Sequence, residues 1–181
     1  LMNSALIIAI VICIILSAFF SCVEMAYAKV NKMKLEREAS KNKTSSKIAL
    51  SFVNDYNNTI TIILIGNNLV NIAASSIATI LFVAISPEHG ETLAVIVMSI
   101  IVLIFGEIIP KNVATVYPYG ISCSFSYPML FFKYLLYPIT FVVQKILNGF
   151  NKLLKKHKTE EVTDDELIEM VDSMEEQGLI D

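Results

Sequence analysis

The chain has 181 residues, of which 55% are hydrophobic and 17% charged, with a formal net charge of −3. A soluble domain is nearer a quarter charged, with its apolar residues spaced at helix or strand period. Here they gather into long runs, with a mean hydropathy of +0.62, which excludes an ordinary soluble domain and gives no reason to expect a nucleic-acid partner.

The first apolar run, residues 5–23, predicts a transmembrane helix over about residues 5–27, since a hydrocarbon core of about 30 Å needs roughly 20 residues. No basic segment precedes it and it is too long for the core of a signal peptide. A basic stretch follows, with Lys29, Lys32, Lys34, Arg37, Lys41, Lys43 and Lys47 against Glu36 and Glu38. A second span is predicted over about residues 57–85, interrupted by Gly66, Asn67, Asn68 and Asn71. The loop at 86–91 has no Lys or Arg, and a third span over about residues 92–117 passes Gly106, Glu107, Pro110 and Lys111. Positive charge prefers the cytoplasmic side. The basic stretch is therefore expected inside, the N-terminus outside and the C-terminus cytoplasmic, in a multi-pass protein of the plasma membrane.

A fourth apolar region, residues 121–143, does not read as a crossing. Pro128 and Pro138 interrupt it, Lys133 lies near its middle, and a crossing would carry five following lysines outside. Short cytoplasmic juxtamembrane helices over 119–150, or a re-entrant hairpin, satisfy all three constraints. The tail then turns acidic. Thr163, Asp164, Asp165 and Glu166 suit a helix start, and Leu167, Ile168, Met170, Val171 and Met174 form an apolar stripe before Gly178. The expected fold is thus an all-α integral membrane domain over 1–158 with three spans and juxtamembrane helices. Residues 159–181 would begin an acidic amphipathic helix, and the chain reads as part of a longer protein.

Several polar residues fall inside the spans. Ser17, Ser21 and Glu24 share one face of the first helix, with Glu24 near its cytoplasmic end. Serines in such places also bond their own helix or a neighbour. Asn67, Asn71 and Ser75 share a face of the second, with Asn68 beside them, and a buried amide needs partners. In the third, Pro110 has no amide hydrogen, so the carbonyl of Gly106 is expected to lose its helical partner next to the Glu107 carboxylate. Hydroxyl, amide, carbonyl and carboxylate oxygens form a hard-cation inventory suited to Mg²⁺, Ca²⁺ or Na⁺. Cys13, Cys22 and Cys123 have no metal-type spacing. One intramembrane carboxylate compensates a divalent charge incompletely, as suits an ion that must leave. Neither a His/Asp pair nor a Ser/Lys dyad lies at depth, so an enzyme is not expected.

Three segments carry a resemblance: Ser17-Ala18-Phe19-Phe20-Ser21-Cys22-Val23-Glu24, Gly66-Asn67-Asn68-Leu69-Val70-Asn71, and Gly106-Glu107-Ile108-Ile109-Pro110-Lys111. In this order they resemble the signature segments of the DUF21 transmembrane domain of the CNNM/CorC (CorB) proteins. The resemblance implies a homodimeric magnesium exporter driven by sodium influx, with Mg²⁺ as the transported ion and Na⁺ as its partner. It implies Mg²⁺ ligands at Ser17, Ser21, Asn71 (or Asn67) and the Gly106 carbonyl, with Glu107 in or near the shell and Pro110 and Lys111 supporting. Phe105 stands where the family has a small residue. The tail resembles the acidic linker that leads to a cytoplasmic CBS-pair domain. A Mg²⁺ sensor that regulates transport without moving the ion is the alternative.

Overall fold

The computed structural model describes residues 2–155, and every regular element among them is helical. The expected acidic helix over 159–181 lies outside the described residues. Two units divide the chain, Leu1–Thr140 and Phe141–Asp181.

In the first unit, α1 (Met2–Lys29) and α4 (Tyr56–Ile85) are unbroken helices. The third long helix is α5 (Gly90–Ile101), a π-helical segment (Val102–Ile108) and α6 (Ile109–Val116) in succession. Three helices are long and apolar enough to cross a membrane: Asn3–Lys29, Tyr56–Ile85 and Gly90–Val116. Leu64, Ile72 and Ile80 of α4, like Ile8 and Ile15 of α1, stand exposed, as side chains facing lipid do.

The spans pack antiparallel. Ile10 of α1 clusters with Ala74 and Ala78 of α4, and Ala94 and Met98 of α5 close the same cluster. Nearer the basic end, Phe20 and Val23 of α1 meet Ile62 and Ile63 of α4. Alanines at the first contact let the backbones approach, which is how helices associate where lipid removes the hydrophobic drive.

The basic stretch folds into a hairpin of α2 (Lys32–Ser40) and α3 (Thr44–Asn54). Asn31 caps α2, its Oδ1 accepting from the Lys34 amide at 3.0 Å. The turn passes through Asn42 at φ 64, a left-handed conformation that asparagine tolerates. At its close, the Thr59 hydroxyl is shared between the carbonyls of Phe52 and Asp55, at 2.8 and 2.9 Å.

The fourth apolar region is three helices: α7 (Pro118–Ser124), α8 (Ser126–Leu135) and α9 (Tyr137–Lys155). Pro118, Pro128 and Pro138 each fall in a first turn, where a missing amide hydrogen removes no intrahelical bond. Phe19 and Phe20 of α1 pack against Phe125 and Phe132 with ring centroids 4.9–5.5 Å apart. Those contacts lie roughly 14 Å along α1 from Lys29, so α8 flanks the spans well inside their length. Lys133, expected as an expensive charge, is half-buried with its ammonium 5.6 Å from the Phe52 ring centroid. Within the second unit, Lys145 lies over Phe141 at 5.5 Å.

Candidate functional site

The three spans meet at Ser17. Its hydroxyl donates to Asn67 Oδ1 at 3.0 Å, and the serine is fully buried. On its other side lies the backbone of Gly106: a Cβ built there would stand 2.8 Å from Ser17 Oγ. Glycine therefore brings the third span's main chain directly against the serine side chain. Gly66, next to Asn67, does the same for α4, since a Cβ there would lie 2.4 Å from the Phe20 ring. Gly66, expected as an interruption of the second span within the Gly66–Asn71 segment, is the point of closest approach to the Phe20 ring. Its signal was its place beside the asparagines, one helical turn ahead of Val70.

Gly106 and Glu107 fall within the π-helical segment. The amide of Ile109 bonds the carbonyl of Ile104, five residues back. The backbone thus departs from α-helical geometry over the seven residues 102–108, just ahead of Pro110. Such segments concentrate at functional positions because they move side chains off the regular α-helical face. Phe105, in the place of a small residue, is 56% exposed and faces away from Ser17's buried surroundings.

Ser21 is one turn from Ser17 and fully buried, yet its Oγ has no hydrogen-bond partner among the described residues. Asn71 is one turn from Asn67, and its buried Oδ1 is likewise unpartnered. Because α1 and α4 run antiparallel, these two oxygens lie on opposite sides of the Ser17–Asn67 bond. Side chains lean toward the N-terminus of their own helix, so both lean back toward it. A buried polar atom left without a partner costs on the order of 1–3 kcal/mol. Two such atoms flanking one polar crossing call for a polar guest.

The remaining predicted residues make no hydrogen bond to Ser17 or Asn67. Glu107 is half-buried and makes no hydrogen bond or ion pair among the described residues. Glu24 is paired with Lys111, Oε2 to Nζ 3.1 Å, which joins the ends of the first and third spans. Beside that pair, the Cys22 thiol donates to the Pro110 carbonyl at 3.3 Å. Asn68 and Ser75 are exposed. Among the described residues, no three His, Cys, Asp or Glu side chains group as metal ligands, and the bonded oxygens at the crossing are the Ser17 hydroxyl and the Asn67 amide.

These features define a multi-pass helical membrane domain whose spans cross at a buried, oxygen-rich centre. The chain matches the Cyclin M transmembrane N-terminal domain over residues 8–181, and it belongs to that family. It is 32% identical over 151 residues to a UPF0053 protein of Haemophilus influenzae, covering 83% of this chain and 35% of that protein. To the UPF0053 inner membrane protein YfjD of Escherichia coli it is 30% identical over 141 residues, 78% of this chain and 32% of the other. A chloroplastic DUF21 domain-containing protein of Arabidopsis thaliana shares 33% over 168 residues, 92% of this chain and 26% of that one. The chain thus spans about a third or less of these relatives' length.

Proposed function

We propose that this domain carries Mg²⁺ out of the cytoplasm, with Na⁺ moving inward to drive it. The family resemblance of the three signature segments supplies the ion. The observation that carries the reading is the pair of unpartnered buried oxygens, Ser21 Oγ and Asn71 Oδ1, flanking the Ser17–Asn67 bond beside the Gly106 backbone. A hard cation satisfies such oxygens as no apolar guest does. In this reading Ser17, Ser21, Asn71 and the Gly106 carbonyl contact the ion during transit, and Asn67 holds Ser17 or exchanges with it as ligand. Glu107 supplies the nearby negative charge. The basic helical hairpin α2–α3 faces the cytoplasm. A second copy covers the exposed Asn68 and Ser75 of α4, and a CBS-pair domain follows the acidic C-terminal segment in the whole protein.

The test is Mg²⁺ efflux from liposomes containing the purified protein, with and without an opposing Na⁺ gradient, for wild type and for Asn71→Ala, Ser21→Ala and Glu107→Ala. Sodium-dependent efflux in wild type, lost in the variants while their folded state survives, supports the proposal. Full flux in all three sinks the site. Saturable Mg²⁺ stabilisation without any flux assigns the domain to sensing.

A further inference from the structure

A cavity of about 420 Å³ opens at the basic end of the spans, between the end of α1, the start of α2 and the α6–α7 corner. Lys29, Asn31 and Lys34 line one side, and Tyr117, Tyr119 and Gly120 the other; no carboxylate lines it. Lys34 Nζ lies 4.6 Å from the Tyr119 ring centroid, which holds the ammonium at the wall without neutralising it. Tyr119 is itself fixed by its hydroxyl contact with Ser46 at 3.2 Å. Glu24 is engaged by Lys111 and Glu38 by Lys41 and Lys43, and Glu36, exposed on α2, does not line the cavity. Neither Lys29 nor Lys34 has an ion-pair partner among the described residues. An uncompensated pair of ammonium groups at a concave surface attracts an anion.

The same face of α1 continues as an apolar groove. Ile15, Cys22 and Lys29 are seven residues apart in turn, close to two helical turns, and so lie along one line. Ile15, Phe19 and Cys22 line a groove of about 480 Å³ whose opposite wall includes Phe125 and Phe132. From Ile15 to Lys29 the line runs about 21 Å at 1.5 Å per residue. That is the thickness of one leaflet with its headgroup layer, half of roughly 40–45 Å. Cation above, aromatic belt at the rim and apolar channel below follow the profile of a single amphipathic molecule.

We propose that this face seats one anionic phospholipid, its phosphate between Lys29 and Lys34 and an acyl chain along the Ile15–Cys22 line. Free phosphate makes no use of the groove, and a zwitterionic headgroup brings a cation of its own to the lysines. The assignment is independent of the Mg²⁺ reading, because none of these residues touches the Ser17 crossing.

The experiment titrates the purified protein in neutral detergent with phosphatidylglycerol, phosphatidylcholine or inorganic phosphate, and reads the melting temperature and lipid adducts by native mass spectrometry. Phosphatidylglycerol is expected to give a saturable upward shift with one tight adduct. In the Lys29→Gln/Lys34→Gln variant its apparent affinity falls roughly thirtyfold, about fivefold for each ammonium lost. Lys32→Gln, an exposed lysine of the same helix outside the cavity, retains it. Gly120→Phe is the second probe. A Cβ at Gly120 meets nothing within 4 Å, so the larger ring fills the cavity without disturbing the helix and displaces the lipid. Equal loss in Lys32→Gln reduces the effect to diffuse surface charge and overturns the proposal. So does an equal response to inorganic phosphate, an equal response to phosphatidylcholine, or retained binding in Gly120→Phe.

Discussion

Ser17 and Asn67, fifty residues apart in sequence, are joined by a 3.0 Å hydrogen bond where the first two spans cross. The bond ties together two helices that otherwise meet through apolar contacts, Ile10 with Ala74 and Ala78 and the Phe20 ring against Gly66, and it fixes the rotation of both. Inside a membrane such bonds contribute about 0.6 kcal/mol on average and up to about 1.7. A double-mutant cycle of Ser17→Ala and Asn67→Ala, read by unfolding in mixed micelles, is expected to return a coupling in that range. Strict additivity would show that the bond does not hold the crossing together.

Gly66 gives a sharper structural test. A methyl group there would lie 2.4 Å from the Phe20 ring, and that ring is already hemmed by Phe19 and Phe132. Gly66→Ala is therefore expected to destabilise by about 1–3 kcal/mol, the usual result of overpacking. Phe20→Leu in the same background should recover part of the loss, since it removes the ring atoms that collide. If Gly66→Ala melts with wild type, the close approach of α1 and α4 is not what it holds.

The Glu24–Lys111 pair links the ends of the first and third spans, and both side chains are largely covered, at 24% and 32% exposure. Its partial exposure keeps its contribution small, of order 1 kcal/mol. The informative variants are Glu24→Lys and Lys111→Glu, each of which places like charges against one another, and the double swap. Each single change should lower the melting temperature and the swap should restore most of it. A swap as unstable as its parents would mean that the two groups act separately.

The three spans were legible because twenty consecutive apolar residues in hydrocarbon permit little besides a helix. That the fourth region is broken was legible for a related reason. Pro128 and Pro138 each demand a helix start, and the chain breaks between them at Leu136. What the sequence did not reveal depends on which helices touch. Asn67 and Asn71 stand on one face, and only the antiparallel pairing with α1 sets Asn67 against Ser17 and leaves Asn71 open. Pro110 announced a disturbance, but the π segment ahead of it depends on how the neighbouring spans seat residues 102–108. The α2–α3 hairpin was hidden by its lysines, although Leu35, Ala39, Ala49 and Phe52 carry the apolar stripe that buries it.

Acid should act on that hairpin through Glu38. The carboxylate accepts from Lys41 at 2.8 Å and lies 2.9 Å from Lys43. The hydrogen bond from Lys41, and then that from Lys43, lower its pKa from an ordinary 4.5 to about 2. A carboxyl depressed in the folded state binds fewer protons there than in the unfolded chain, so stability falls as pH falls. The contribution is complete above about pH 4.5 and is lost progressively down to about pH 2. Wild type should therefore lose more melting temperature between pH 5 and pH 3 than Glu38→Gln, which has no proton to take up at that position. Lys41→Met and Lys43→Met should each flatten the wild-type slope by removing one partner. Melting curves recorded across that interval in one detergent decide the matter: parallel slopes for wild type and Glu38→Gln would mean that this carboxylate contributes nothing to acid sensitivity.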